Sequence, residues 1–139
     1  MFAKLLKRPE RIRFSPVIPD GQRVYAVGDI HGRADLLDGV LALIDADDSA
    51  RPPSDTTLIF LGDLVDRGPD SASVIKRLRS LSQHHPRVRI LMGNHEEVFV
   101  SAYAGEPKAL RMFSRIGGRE TMLSYGMSVE QYERLDYAE

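Results

Sequence analysis

The sequence predicts a single α/β domain built on a largely parallel sheet. Three short apolar segments, each typical of a buried strand, alternate with two longer segments whose apolar residues recur every three to four positions. Clusters of proline, glycine and polar residues separate these segments. Strands that alternate with helices favour right-handed crossovers between parallel neighbours, and a length of 139 residues suits one domain.

The pattern begins with a strand, a helix and a second strand. Val24–Val27 contains β-branched and aromatic residues without polar alternation, which favours a buried strand. A helix is predicted over Arg33–Ala46, because one apolar stripe recurs there at helical spacing. The turn-rich segment 49–55 separates it from the second strand, Thr57–Leu61. The stripe consists of Leu36, Leu37, Val40, Leu41 and Ile44.

A second helix and a third strand repeat this rhythm. The helix is predicted over Ser71–Gln83, and it ends before Pro86 because a residue that precedes proline disfavours the helical region. Val88–Met92 forms the third strand, and Glu96–Tyr103 is predicted to be helical. The inner face of the second helix consists of Val74, Ile75, Leu78 and Leu81.

The remainder of the chain is predicted to be helical. Pro107 suits a first helical turn, and the glycine pair 117–118 stops that helix. Arg119–Tyr125 forms another helix. Ser128 is followed three residues later by a glutamine, which is capping-box spacing, so a last helix begins there. No glycine, proline or asparagine closes this helix, which we therefore expect to run to Glu139.

Composition narrows the function classes. The net charge of −1 gives no basic field that would favour nucleic acid. The absence of cysteine excludes disulfides and thiolate metal sites, and it fits a cytoplasmic protein. No apolar run approaches the ~20 residues of a membrane span. Residues 1–22 are predicted to be a basic arm and linker that precede a domain at 23–139. The arm is expected to be a solvated tail, or else to contact an acidic partner or a membrane surface. Its basic residues are Lys4, Lys7, Arg8, Arg11 and Arg13.

Each of the three predicted strands ends in glycine followed by polar residues. The segments are GDIHG at 28–32, GDLVDRG at 62–68 and GNHE at 93–96. Because the carboxyl ends of parallel strands meet at one edge of a sheet, where ligands bind in such folds, we expect these side chains to converge. They are Asp29, His31, Asp63, Asp66, Arg67, Asn94 and His95.

This set of side chains indicates a metal site. Carboxylate, imidazole and amide groups suit Mn²⁺, Fe or Zn²⁺. Three carboxylates packed together repel one another unless cations neutralise them, and two metals ~3.5–4 Å apart clamp a phosphoryl group. An arginine recognises phosphate oxygens, and a histidine that is not a ligand serves as general acid. Taken singly, each motif also fits a turn, a surface ion pair or a helix cap.

The three motifs in this order and spacing resemble the signature of the phosphoprotein-phosphatase family of metallophosphoesterases. The wider sequence around these motifs is most similar to the bacterial branch of this family, which contains serine/threonine phosphatases and symmetrical diadenosine tetraphosphate hydrolases. The similarity lies in VYAVGDIHGRADLL and in LMGNHEE followed by IGGRETMLSYG. The resemblance implies a calcineurin-like αββα sandwich, of which only the N-terminal βαβαβ half and the following helices are present here. It also implies two divalent metal ions, with manganese favoured and iron or zinc as alternatives.

The resemblance assigns a role to each residue of the set. It implies that Asp29 and His31 bind the first metal, that Asp63 bridges both metals and that Asn94 binds the second. It further implies that His95 protonates the leaving group while paired with Asp66, and that Arg67 holds the phosphate.

The family's second half supplies further histidines, a further arginine and the opposing sheet. Here the only other histidines are His84 and His85, which we expect to be exposed at the opposite edge of the sheet. We therefore expect a truncated form that binds one metal weakly and turns over slowly or not at all. We also expect an exposed apolar sheet face that favours self-association.

The expected substrate is a phosphoprotein or a phosphorylated small molecule. The predicted activity is hydrolysis of phosphoserine or phosphothreonine. Dinucleoside tetraphosphate hydrolysis is the alternative within the same family, and an inactive binding or assembly module is the non-enzymatic alternative. Asp66, Arg67 and His95 favour enzyme ancestry, because a purely structural module has no use for that trio.

Overall fold

The computed structural model describes residues 17–135 of the chain. The basic residues predicted to form the arm lie outside the described residues. The strands are β1 (Gln22–Val27), β2 (Asp55–Phe60) and β3 (Val88–Ile90). The helices are α1 (Ala34–Ser49), α2 (Ser71–His84), α3 (Asn94–Tyr103), α4 (Pro107–Arg115), α5 (Gly118–Ser124) and α6 (Val129–Glu133). The element order confirms the α/β fold class predicted from the sequence.

The three strands form one parallel sheet in the order β1-β2-β3. Val24 is level with Thr57, and Val27 is level with Phe60 at the carboxyl ends of β1 and β2. Phe60 is in turn level with Ile90 of β3. All three strands therefore end at one edge of the sheet, which is the arrangement on which the predicted convergence of the site depends.

Helices α1 and α2 cover one face of this sheet. Phe60, Leu37 from α1 and Val74 from α2 are buried together in the core, and Val27 packs against them from β1. A polar contact also joins this face of the sheet to α1, because the Tyr25 hydroxyl of β1 donates to Asp47 of α1 over 2.7 Å.

The opposite face of the sheet is open within residues 17–135. Val24 is 36% exposed, and Ala26 on the same face of β1 is also exposed. Ile59, which is level with Ala26 in β2, is half-buried. This apolar face is the surface on which the prediction of self-association rests.

Several predicted boundaries are wrong. Helix α1 continues to Ser49 instead of ending at Ala46, and β1, β2 and α3 each begin two residues earlier than predicted. Strand β3 ends at Ile90 instead of Met92; the Leu91 amide still donates to Phe60 over 2.9 Å, but the ladder goes no further. The last helix ends at Glu133 instead of continuing to Glu139, because a three-residue turn from Tyr132 to Leu135 closes it without a stop residue. Residues 136–139 lie outside the described residues. Within 17–135, no helix has the length and apolar character needed to cross a bilayer.

Helices α3, α4 and α5 follow the carboxyl edge of the sheet. The rings of Phe99 in α3 and Phe113 in α4 stack with their centroids 5.3 Å apart. Gly117 joins α4 to α5 with a φ of 106°, a left-handed conformation that disfavours other residues. A Cβ at Gly118 would lie 2.6 Å from the Phe113 ring, so only glycine permits α5 to begin this close to α4. This packing sets the position of Thr121 in α5.

Candidate metal centre

The first two strand-end loops are joined by their backbones. The amides of Ile30 and His31 both donate to the carbonyl of Asp63, over 3.0 and 2.9 Å. The Gly32 amide donates to Leu64 over 2.8 Å. The loop after β1 is therefore held against the loop after β2 by the peptide groups of the residues that carry the predicted ligands.

A single carboxylate fixes the third loop to the second. One oxygen of Glu96 accepts hydrogen bonds from the amides of Asp63 and Gly93, both over 2.8 Å. The other accepts from Leu64 over 2.7 Å and from Val65 over 3.1 Å. Glu96 had no predicted role, although its place three residues after Gly93 is the spacing of a helix-capping glutamate.

The backbone at the site adopts unfavourable conformations. Four non-glycine residues between 17 and 135 have positive φ: His31 at 43°, Asp63 at 51°, Asp66 at 71° and Arg67 at 66°. All four belong to the predicted site. Conformations of this kind cost on the order of 1–3 kcal/mol each and cluster at functional sites, where the surrounding structure imposes them. Their coincidence with the predicted residues is therefore independent support for a site here.

Three of the converging side chains can share one cation. Ligand atoms of His31, Asp63 and His95 all lie within 4.8 Å of one another. His31 Nδ1 donates to the carbonyl of Val65 over 2.9 Å, which makes Nε2 the ring nitrogen that can bind a cation. A backbone carbonyl on the far nitrogen is the usual orienting partner of a metal-bound histidine. Asp29 Oδ2 lies 3.8 Å from that Nε2 on a side chain that is 68% exposed.

Asn94 contributes differently from the other predicted ligands. It is the first residue of α3 and is exposed, and its side chain makes no hydrogen bond to the described part of the chain. The next amide, that of His95, donates to Asp63 Oδ1 over 3.2 Å. The structure therefore brings the start of α3, where Asn94 lies, to the Asp63 carboxylate.

One of these three side chains, His95, also forms a buried histidine–aspartate pair. His95 Nδ1 is 2.7 Å from Asp66 Oδ2, and the two side chains are only 2% and 0% exposed. The exposed Arg67 donates from Nη2 to His95 Nε2 over 2.9 Å and from Nη1 to His31 Nε2 over 3.0 Å. Because arginine only donates, both histidines carry their proton on Nδ1 here.

The Asp66 carboxylate has a second partner that sequence analysis missed. Thr121 Oγ1 donates to Asp66 Oδ1 over 2.7 Å, and Thr121 in turn contacts the hydroxyl of Ser71 over 3.0 Å. Both hydroxyl residues are fully buried. Thr121 belongs to the segment IGGRETMLSYG that contributed to the family resemblance, but a separation of 55 residues gives no local signal of this contact.

The donor set fits a divalent cation. Imidazole nitrogen and carboxylate oxygen together are the ligands that manganese, iron and zinc accept, and the held tautomer of His31 presents its Nε2 lone pair to the site. Arg67 and a cation compete for that lone pair, since it accepts only one partner. The two remaining histidines, His84 and His85, are exposed at the end of α2, away from this group, as predicted.

Comparison with known proteins adds a family and several relatives. Residues 22–139 match the family model described as calcineurin-like phosphoesterase. The chain is 43% identical over 81 residues to a protein of Yersinia enterocolitica named bis(5'-nucleosyl)-tetraphosphatase, symmetrical. Proteins of that name from Yersinia pestis and Yersinia pseudotuberculosis are also 43% identical over 81 residues. Each match covers 58% of this chain and 25% of the relative, so the matched part spans a quarter of the relatives' length.

Proposed function

The chain belongs to the calcineurin-like phosphoesterase family, and from that premise we propose that it contributes the metal-binding and proton-donating core of a metal-dependent phosphoester hydrolase. The observation that carries the proposal is the convergence of His31, Asp63 and the buried His95–Asp66 pair at one edge of the sheet. A purely structural use of this edge would not need a buried histidine–aspartate pair next to ligand atoms.

The proposed roles follow the resemblance described above. Asp29 and His31 would hold the first metal, Asp63 would contact both, and Asn94 would hold the second. When bound, the metal ions polarise the phosphoryl oxygens and activate water. Manganese is the proposed metal, because oxygen-rich ligand sets with imidazole accept it. A cytoplasmic location stays a prediction that rests on the absence of cysteine.

The chain's own residues supply phosphate binding and proton transfer. Arg67 is exposed and presents two guanidinium N–H groups toward the site, which suits bidentate contact with phosphate oxygens. Asp66 holds His95 through Nδ1, so Nε2 is the atom that faces the reacting group. To protonate a leaving oxygen, His95 must first carry a second proton on Nε2, and the Asp66 carboxylate stabilises that imidazolium.

Two substrate classes remain as candidates. Phosphoserine or phosphothreonine in a protein is the class predicted from the sequence. A symmetrical dinucleoside tetraphosphate is the second candidate, and the names of the three Yersinia relatives favour it. Both need the same core, because hydrolysis of each breaks a bond between phosphorus and a leaving oxygen on which negative charge develops. Parallel turnover of a phosphopeptide and of diadenosine tetraphosphate decides between them.

Metal binding and turnover test the proposed activity. We expect the full chain titrated with Mn²⁺ in a calorimeter to bind one ion weakly, and slow hydrolysis of p-nitrophenyl phosphate. His31→Ala should abolish the binding, and His95→Asn should abolish the turnover. Because His95 also belongs to the group that can share a cation, metal binding by His95→Asn shows whether His95 acts only as the proton donor. His84→Ala is the matched control, because this histidine is exposed and distant from the site.

Two results would contradict parts of this proposal. Equal metal binding by the wild-type and His31→Ala chains would contradict the proposed metal site. Phosphate binding without any turnover would favour the alternative of an inactive binding module. Two tightly bound ions with rapid turnover would instead show that the expectation of one weak metal is wrong. Self-association through the apolar face around Val24 stays a proposal, and a monomer across micromolar concentrations in the ultracentrifuge would count against it.

A further inference from the structure

A fully buried pair of hydroxyl groups lies behind the proposed proton donor. The side chains of Thr121 in α5 and Ser71 in α2 are both 0% exposed. The Thr121 hydroxyl contacts Asp66 Oδ1 over 2.7 Å, and the Asp66 amide donates back to Thr121 Oγ1 over 2.8 Å. One threonine side chain therefore holds both the carboxylate and the backbone of Asp66.

The direction of each hydrogen bond follows from the groups present. Because the Asp66 carboxylate accepts, the Thr121 proton points to Oδ1. The Thr121 oxygen then accepts from the Asp66 amide, and it also accepts from the Ser71 hydroxyl, 3.0 Å away. The other carboxylate oxygen accepts from His95 Nδ1 over 2.7 Å. The result is a hydrogen-bonded chain in which Ser71 donates to Thr121 and Thr121 donates to Asp66, whose carboxylate also accepts from His95.

The backbone of this loop needs such support. Asp66 and Arg67 have φ angles of 71° and 66°, conformations that persist only when the surroundings impose them. The Arg67 amide donates over 3.0 Å to the carbonyl of Gly117, in the same α4–α5 segment as Thr121. Two successive residues of the site loop are therefore held by one segment that carries no metal ligand.

We propose that Thr121 is a positioning residue that fixes the Asp66 carboxylate and, through it, the orientation and tautomer of His95. This inference rests on the proposed hydrolase function. In the step that it serves, the His95 Nε2–H bond breaks, an O–H bond forms on the leaving group, and the imidazolium becomes a neutral imidazole. Without the Thr121 hydroxyl, Asp66 Oδ1 has no partner among the described residues and the carboxylate is free to rotate away from Nδ1.

Nitrogen-15 and proton spectra of the metal-free chain test this inference without any activity. We expect a downfield His95 Nδ1–H signal that exchanges slowly with water, since His95 is 2% exposed. In Thr121→Val the exchange should accelerate about ten-fold or more, as expected when one charge-assisted hydrogen bond is lost. Thr121→Ser should restore slow exchange. The His31 Nδ1–H signal is the internal reference, and Thr57→Val is the matched control on the open sheet face.

A second variant keeps the test decisive if Thr121→Val does not fold. Ser71→Ala removes the hydroxyl that contacts Thr121 and accepts from the Asp66 amide over 3.1 Å, but it leaves the Thr121 hydrogen bond to the carboxylate in place. We therefore expect the same change at His95, but a smaller one. A His95 signal that is identical to that of the wild type in every variant that folds would overturn the proposal. The spectra do not depend on turnover, so they separate a failure of this inference from a failure of the proposed function.

Kinetics add a readout that general destabilisation does not give. We expect Thr121→Val to lower kcat about 10- to 100-fold for phenyl phosphate, whose leaving group needs a proton, and to change KM little. The loss should be smaller for p-nitrophenyl phosphate, whose leaving group is stable as an anion. Equal losses for the two substrates would indicate a merely structural role for Thr121 and contradict the proposal.

Discussion

Replacing Glu96 with glutamine tests how the strand-end loops are held together. The Glu96 carboxylate accepts from the amides of Asp63 and Gly93 with one oxygen and from Leu64 and Val65 with the other. Glutamine keeps one acceptor oxygen, which can serve one pair of these amides. Its NH₂ group faces the other pair and cannot accept from them. Two hydrogen bonds to a charged acceptor are lost, each worth about 1.5–3 kcal/mol. We therefore expect Glu96→Gln to lower the free energy of unfolding by about 3–6 kcal/mol.

Urea unfolding followed by circular dichroism measures this effect. A loss of that size is a large part of the total stability of a small domain, about 5–15 kcal/mol, so the transition should move far to lower urea. Glu97→Gln is the matched control: Glu97 is the neighbouring exposed residue of the same helical turn, and we expect less than about 1 kcal/mol from it. A Glu96→Gln chain as stable as the control would refute the argument that this carboxylate holds the loops.

Two further predictions concern backbone strain and acid stability. Arg67 has a φ of 66°, a conformation that glycine adopts without strain. Arg67→Gly should therefore be up to about 1 kcal/mol more stable than Arg67→Ala, and both variants should lose phosphate affinity. Equal urea midpoints for the two variants would contradict the argument that the Arg67 backbone is strained. The Arg51 guanidinium and then the Tyr25 hydroxyl lower the pKa of Asp47 to about 2. Its stabilising contribution is therefore present above about pH 4 and is lost as the pH falls toward 2. The melting temperature of Asp47→Asn should be below that of the wild type near neutral pH and converge with it in acid. A difference that stays constant down to about pH 2 would contradict this prediction.

The sequence predicted the framework of the site because the signals for it are local or periodic. Short apolar segments and helical stripes predict the parallel sheet, and the topology then predicts that all three strand ends meet. The pairing of His95 with Asp66 followed from the family resemblance, and the 2.7 Å contact agrees with it. The end of α2 at His84 likewise follows from the proline two residues later.

The remaining features depend on contacts that no short stretch of sequence contains. Thr121 reaches Asp66 across 55 residues, and the packing of α5 against α2 and α4 brings them together. Glu96 carried a local signal, capping-box spacing, but its contacts with Asp63, Leu64 and Val65 lie more than 30 residues away. The last helix has no sequence signal for its end at Glu133, so its predicted length was wrong.

The long separation between Thr121 and Asp66 also sets an order of events during synthesis. At about 5–20 residues per second, roughly 3 to 11 s pass between the translation of two residues that lie 55 positions apart. The loops that carry Asp29, Asp63 and His95 are all translated before Thr121 is. A nascent chain therefore acquires its candidate ligands first, and the loop around Asp66 becomes fixed only once α5 has been made and docked.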